Sequence, residues 1–310
     1  SQESDPMTST VSTTGVSKRY GVVQAVKDVT FTLNAGETVA LVGHNGAGKT
    51  TLIKLMLGLI RPTTGTVSVL GEDPARGDFH VRQRLGYLPE SVSFHMALTG
   101  RETLAFYARL KRVDLSSADA LFERVGLAQE AADRPVRTYS KGMRQRLGLA
   151  QALLGDPRVL LLDEPTSGLD PALRRSFYDL ITDLRAGGAT VLLSSHALTE
   201  LEDRADRVII VDRGVKIADG TLDELRHIAR LPTRIGVRLA AEDATPGWSR
   251  GGTDWQRAAS GVFEADVAPE DKIALLHDMT ADPSRLATLS VAEPTLDELY
   301  AHFLKGQSQT

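Results

Sequence analysis

The stretch of sequence that decides the fold reads Gly43-His44-Asn45-Gly46-Ala47-Gly48-Lys49-Thr50. It matches the pattern G-x-x-x-x-G-K-S/T and follows an apolar run over residues 38–42, which predicts a buried strand. A helix is predicted after it, over about residues 49–59. Glycines let backbone N–H groups curl around a phosphate, and the start of a helix adds the positive end of its dipole. This order of strand, turn and helix is the context that a phosphate-binding loop requires.

Three side chains of this loop are predicted to serve a nucleotide. Lys49 would reach the β- and γ-phosphates, the Thr50 hydroxyl would hold Mg²⁺, and Thr51 would touch the α-phosphate. The alternative is an ordinary glycine-rich turn. The flanking strand and helix favour the phosphate-binding interpretation.

Two carboxylates follow a second apolar strand, predicted over residues 159–162. Asp163 suits Mg²⁺, held through water, and Glu164 would polarise the attacking water. An acidic strand end facing solvent is the alternative. The phosphate loop earlier in the chain favours the catalytic interpretation.

Between these two motifs lies a segment that resembles the signature sequence of ABC ATPases, usually L-S-G-G-Q. It reads Tyr139-Ser140-Lys141-Gly142-Met143-Arg144-Gln145-Arg146. Ser140 and Gly142 are kept, whereas the leucine, the first glycine and the glutamine of the family pattern are replaced. A serine hydroxyl and a glycine N–H at a helix start still offer donors to a γ-phosphate. An N-capped helix without this role is the alternative.

Four further parts of the ABC pattern are present, each at its expected place in the order of the family's motifs. Residues 167–170, SGLD, resemble the D-loop that links the two active sites. His196 resembles the switch histidine that contacts the γ-phosphate, and Tyr20 the aromatic residue that stacks on adenine. Glu90 occupies the place of the Q-loop glutamine, where it would supply an oxygen to Mg²⁺ or water but add a negative charge. The alternatives are that His196 is a structural histidine and that Tyr20 is a core tyrosine.

The resemblance implies a complete set of site residues. The catalytic ones are Glu164 and His196, and those at the metal are Thr50, Glu90 and Asp163. The nucleotide-binding ones are Tyr20, Gly43, His44, Asn45, Gly46, Ala47, Gly48, Lys49, Thr50, Thr51, Ser140 and Gly142. The cofactors implied are ATP and Mg²⁺.

The implied fold is α/β, a P-loop NTPase of ABC type over residues 11–230. It has a parallel-sheet core with a helical subdomain at about residues 91–155, and a small α+β appendage over residues 231–310. Residues 1–10 are expected to be a disordered start, in which Met7 is the natural first residue and residues 1–6 are a cloning remnant. The last helix, capped by Thr295 and Glu298, would either fold the appendage onto itself or pair two subunits.

The resemblance also implies partners. Two chains would meet head to tail as a homodimer, and a polytopic transmembrane subunit would dock after the Q-loop, on apolar residues Val92, Phe94, Met96, Ala97 and Leu98. Packing of these residues within the helical subdomain is the alternative. Under this hypothesis a periplasmic component of the complex is a further partner of the chain.

Composition agrees with a cytoplasmic protein held at the inner face of the inner membrane only through its partner. The net charge of −4 disfavours nucleic acid as a partner. The absence of cysteine excludes thiolate metal sites. No segment approaches the about 18 consecutive apolar residues of a membrane span.

The sequence as a whole further resembles the ATPase that supports maturation of nitrous-oxide reductase. A generic bacterial ABC exporter is the alternative for the cargo. A soluble ABC ATPase acting on ribosomes or DNA, and a regulatory nucleotide-binding module without turnover, are the alternatives in class. Lys49 and Glu164 together disfavour the last of these.

Overall fold

The computed structural model describes residues 9–77, 79–116, 118–196, 198–241, 245–258 and 261–307. The strands of this part of the chain are β1 (Ser9–Tyr20), β2 (Val23–Asn34), β3 (Thr38–Val42), β4 (Thr64–Val69), β5 (Leu85–Leu88), β6 (Val159–Asp163), β7 (Thr190–Ser195), β8 (Arg207–Asp212), β9 (Val215–Gly220), β10 (Thr233–Leu239), β11 (Gln256–Arg257), β12 (Phe263–Val267) and β13 (Leu286–Ala292). The helices are α1 (Lys49–Met56), α2 (Phe79–Gln83), α3 (Gly100–Lys111), α4 (Ala118–Arg124), α5 (Gln129–Ala132), α6 (Lys141–Leu153), α7 (Pro171–Ala186), α8 (Leu222–Ala229), α9 (Pro269–Thr280) and α10 (Leu296–Gln307).

The first of two compact units, Ser1–Asp219, contains two sheets with α1 between them. The larger sheet has the order β5-β6-β7-β3-β8-β9, and β3 pairs in parallel with both β7 and β8. The smaller sheet is antiparallel, with the order β2-β1-β4. All five residues of β3 and of β6 are buried, as expected for strands covered on both faces. The carboxyl ends of β3, β6 and β7 therefore lie side by side at one edge of the sheet.

The helical subdomain follows β5 and is built from α3 to α6, which contact one another. A capping box starts α3, because Thr99 accepts from the Glu102 N–H and Glu102 accepts from the Thr99 N–H. Ser140 caps α6, which also packs on β5.

The second unit, Gly220–Thr310, is an antiparallel sheet with helices. Its strand order is β11-β12-β10-β13, and Leu275 and Met279 of α9 join Ile235 and Val237 of β10 in the core. Helix α10 packs on α8, with Leu296 and Leu299 fully buried. The apolar face of α10 thus helps to fold this unit, which was one of the two interpretations.

The expected disordered start of the chain differs from the structure. Ser9 and Thr10, placed in a disordered start, form the beginning of β1; residues 1–8 lie outside the described residues. Strands β1 and β2 each have 12 residues. Shifts of register interrupt their pairing and hide the two-residue period.

The boundary between the units lies after Asp219, whereas the sequence predicts it at about Arg230. Helix α8 belongs with the second unit because it packs on α10 and Arg226 donates to the carbonyl of Pro294.

The expected docking segment is only partly exposed. Phe94 is buried and meets the edge of the Tyr107 ring, with centroids 6.0 Å apart, so this residue packs within the helical subdomain. Met96 is 44% exposed.

Candidate functional site

The glycine-rich loop connects β3 to α1 at the edge where the parallel strands end. Gly48 caps α1 with φ 109°, and a Cβ there would approach the Ala25 carbonyl oxygen to 2.8 Å. Only glycine suits this position. No side chain caps the N–H groups of the first turn. These donors are therefore available to an anion at the helix start.

Lys49 folds back over the loop that precedes it. Its ammonium donates to the carbonyl of Gly43, and to that of His44 at 3.3 Å. Burial lowers the pKa of Lys49, while the carboxylates of Glu164, Asp163 and Glu90 act in the opposite direction. The Lys49 ammonium thus lies among carboxylates in a partly desolvated place, where it suits a polyanion.

Asp163, at the end of β6, is held on both oxygens by hydroxyl groups. The Ser194 hydroxyl donates to Oδ1 at 2.6 Å, and the Thr50 hydroxyl donates to Oδ2 at 3.2 Å. Asp163 is 4% exposed. Two residues expected at the metal, Thr50 and Asp163, thus meet although they are 113 positions apart in the chain.

Glu164 is paired with His196 across the ends of β6 and β7. His196 Nδ1 lies 2.8 Å from Glu164 Oε2. Glu164 has φ 49°, and its N–H donates to the hydroxyl and carbonyl of Ser194 at 3.0 and 3.2 Å. The left-handed backbone turns the carboxylate away from the strand direction. The two residues expected to be catalytic therefore lie in hydrogen-bond contact.

These groups line one cavity of about 670 Å³. Its lining residues are Tyr20, Ala25, His44, Asn45, Gly46, Gly48, Lys49, Thr50, Thr51, Glu90, Asp163, Glu164 and His196. Tyr20 is 46% exposed, with the Lys18 ammonium 5.2 Å from its ring centroid. Three carboxylates face one lysine. A bound nucleotide therefore calls for a divalent cation to balance its phosphates.

Asp212 and Ser194 are two residues that sequence reasoning missed. His44 Nε2 lies 2.6 Å from Asp212 Oδ1, and Nδ1 lies 2.7 Å from the carbonyl oxygen of Asn45. Asp212 ends β8 and Ser194 lies in β7, the two strands that flank β3. A polar residue at the end of a predicted buried strand was the available signal.

The signature segment lies apart from this cavity. Ser140 accepts from the Met143 N–H at 3.2 Å as the cap of α6, and neither Ser140 nor Gly142 is among the cavity's lining residues. The structure therefore brings together the expected residues of the phosphate loop, carboxylates and histidine, but not these two.

The sequence is similar to ABC proteins along most of its length. The ABC transporter family profile matches residues 26–167. An uncharacterized ABC transporter ATP-binding protein of Nostoc sp. is 36% identical over 299 residues, covering 92% of this chain and 84% of the relative. The chain belongs to the ABC transporter ATP-binding proteins.

Comparisons with two other proteins support this family assignment. The Nod factor export ATP-binding protein I of Burkholderia lata is 40% identical to this ABC ATPase over 208 residues, covering 66% of this chain and 68% of the relative. The solved structure of an ATP-binding subunit of an ABC transporter is 32% identical and superposes with a TM-score of 0.66, covering 70% of this chain and 92% of that one.

ABC ATPase domains bind ATP with Mg²⁺, and they work as dimers with a transmembrane partner. The donors of this ABC ATPase fit that cation. Thr50, Asp163 and Glu90 present oxygen atoms, the ligands that Mg²⁺ prefers. Within the described ranges there is no cluster of three or more His, Cys, Asp or Glu side chains suited to a metal. Mg²⁺ held by few protein groups and by phosphates has no need of one.

The described residues include no helix long and apolar enough to cross a bilayer.

Proposed function

We propose that this ABC ATPase binds two Mg²⁺·ATP between two copies of itself, head to tail, and drives the separate membrane subunit of an exporter. The observation that carries this proposal is the split between the two halves of the expected site. The phosphate loop, Asp163, Glu164 and His196 share one cavity, whereas Ser140 and Gly142 lie outside it. A second copy is the natural source of the missing donors.

In this proposal each side chain has one role. Backbone N–H groups of residues 43–48 and the Lys49 ammonium hold the phosphates, and Thr51 touches the α-phosphate. Thr50, Asp163 and Glu90 hold Mg²⁺, which neutralises charge on the phosphates when it is bound. Tyr20 stacks on adenine.

The catalytic step belongs to Glu164 and His196. Glu164 Oε2 orients the attacking water and accepts its proton, while His196 turns from Glu164 toward the γ-phosphate. Ser140 and Gly142 of the other copy donate to the same phosphate. Splitting the site in this way converts ATP binding into closure of the two subunits.

Glu164→Gln tests this assignment. The variant keeps the size of the side chain but loses the base, so we expect hydrolysis to fall by roughly 10²–10⁴-fold. ATP should then hold a dimer together, visible by size-exclusion chromatography. Lys49→Ala is the matched control, because it removes a charge-assisted phosphate contact worth about 1.5–3 kcal/mol. This loss should weaken ATP binding by about 10- to 150-fold and prevent dimer formation at ATP concentrations that just saturate the parent chain. Normal hydrolysis by Glu164→Gln, or a monomer with ATP, contradicts the proposal.

The direction of transport rests on the relative from Burkholderia lata, which is named for export. Through its membrane partner the ATPase would lie at the cytoplasmic face of the inner membrane. Copurification with a polytopic protein from the membrane fraction tests the membrane location. Recovery with ribosomes or DNA instead would favour a non-transport ATPase.

Maturation of nitrous-oxide reductase is the narrower hypothesis for the cargo. It rests on the overall resemblance of the sequence, since neither relative described above is named for that role. Deleting the gene should leave the reductase without its copper centre. A normal reductase in the deletion strain would contradict this role and leave a generic exporter.

A further inference from the structure

Arg174, in the first turn of α7, bonds two segments of the site at once. Its Nε and Nη2 donate to the carbonyl oxygen of Leu169 at 3.3 and 3.0 Å, and its Nη1 donates to the Glu200 carboxylate. Leu169 lies in residues 167–170, the segment that resembles the D-loop. Glu200 ends a short 3₁₀ helix, Leu198–Glu200, just after His196. One guanidinium group therefore connects the two segments.

Further hydrogen bonds fix the first turn of α7, which carries Arg174, to residues 167–170. Asp170 caps α7 by accepting from the N–H groups of Ala172 and Leu173, both at 3.0 Å. The Arg174 N–H also donates to the Asp170 carbonyl at 3.0 Å. The loop and the first turn of α7 thus form one hydrogen-bonded body. A shift of residues 167–170 would carry the guanidinium with it.

The Glu200 carboxylate depends on Arg174 for its ion pair. The second carboxylate oxygen, Oε2, is buried and has no hydrogen-bond partner within the described residues. Removing Arg174 would leave a partly buried carboxylate without its ion pair, which is unfavourable. Glu200 is therefore expected to follow the guanidinium when it moves.

We propose that Arg174 is a positioning residue that couples the D-loop segment to the switch histidine through Glu200. This inference rests on the proposed head-to-tail dimer, in which the second copy presses on residues 167–170. In the structure His196 Nδ1 is engaged by Glu164, so it must turn to reach a γ-phosphate. Movement of Leu169, passed through Arg174 to Glu200, would shift the segment that follows His196. Closure of the dimer would then release the histidine.

The test measures kcat and KM for ATP hydrolysis by the full chain and by Arg174→Gln, Glu200→Gln and the double variant. We expect kcat to fall roughly tenfold in each single variant, with KM within about twofold of the parent value. The double variant should be no slower than the slower single variant, because both changes break the same link.

Arg185→Gln is the matched control. Arg185 lies on the same helix, pairs with Asp206 at 2.7 Å and donates to the Gly36 carbonyl at 3.2 Å. These partners lie at the opposite end of β3 from the phosphate loop. We expect Arg185→Gln to change thermal stability about as much as Arg174→Gln, but to keep its kcat.

A second readout separates coupling from simple support of the dimer. In the Glu164→Gln background, Arg174→Gln should still form the ATP-bound dimer. Loss of that dimer, an unchanged kcat, or additive losses in the double variant would each overturn the inference. If Arg174→Gln does not fold, Glu200→Gln carries the same test, because it keeps the side-chain size. A parent chain that hydrolyses no ATP would refute the proposed function itself, before any variant is compared.

Discussion

At the scale of single residues, the contact between His44 and Asp212 orders the phosphate loop. Asp212 is 9% exposed, and its Oδ1 lies 2.6 Å from His44 Nε2. Asp212→Asn should weaken Mg²⁺·ATP binding about three- to tenfold, because a charge-assisted hydrogen bond to the loop becomes a neutral one. Isothermal titration calorimetry measures this. Asp219→Asn, which loosens Arg207 and Lys216 on the neighbouring strands, should leave the affinity unchanged. Equal affinities for Asp212→Asn and the parent chain would contradict the prediction.

Lys111 gives a pH dependence of stability. Burial lowers its pKa to about 8 against the opposing charge of Asp156, and its ammonium donates to the Leu154 carbonyl. Below about pH 8 the lysine is charged in both states. Between about pH 8 and the ordinary value of 10.5, the unfolded chain holds the extra proton, so the free energy of unfolding rises with pH.

Comparison with Lys111→Met isolates this contribution. From about pH 7.5 to 10 the parent chain should gain roughly 2 kcal/mol relative to the variant, since one pKa unit corresponds to about 1.4 kcal/mol. Urea unfolding at several pH values measures it. Parallel pH profiles for the two proteins would show that Lys111 keeps its ordinary pKa.

At the scale of elements, the helical subdomain is joined to the core where α6 crosses β5. Gly86 makes the crossing close, because a Cβ there would overlap the carbonyl of Ala152. Gly86→Ala should lower the free energy of unfolding by about 1–3 kcal/mol through overpacking. At Gly148 a Cβ would meet the side-chain ends of Leu88 and Val92, at 2.8 and 3.0 Å, and these can move. Chemical denaturation should therefore show a smaller loss for Gly148→Ala, and the reverse order would be inconsistent with a rigid crossing.

At the scale of the whole molecule, the two units predict where the chain can be shortened. A chain ending after Gly220 should bind Mg²⁺·ATP as the full chain does, because the cavity's lining residues all precede Asp219. A chain ending after Arg230 keeps α8 but loses α10, the helix that packs on it in the intact protein. We expect the longer fragment to aggregate more, as measured by light scattering. A folded short fragment that fails to bind ATP would mean that the second unit contributes to the site.

The prediction from sequence was strongest where one short segment carries the chemistry. Residues 43–50 predict the phosphate loop, and Thr295 with Glu298 predicts the start of the last helix. Both predictions succeed because glycine conformation and capping act over a few residues. The prediction from sequence was weakest for strands whose pairing partners are distant in the chain. The long strands β1 and β2 have no regular pattern that predicts their length, since irregular pairing interrupts the alternation of buried and exposed residues.

The sequence by itself determined the fold family, the phosphate loop and the identity of the two carboxylates after β6. These follow from local backbone chemistry and from unbroken apolar runs that must be buried. Only the tertiary structure decided that Ser194 and Thr50 hold Asp163, that Asp212 holds His44, and that Arg174 reaches Glu200. These contacts join residues far apart in the chain, because parallel strands with long connections align their carboxyl ends at one edge, and a sequence pattern does not record which ends are neighbours.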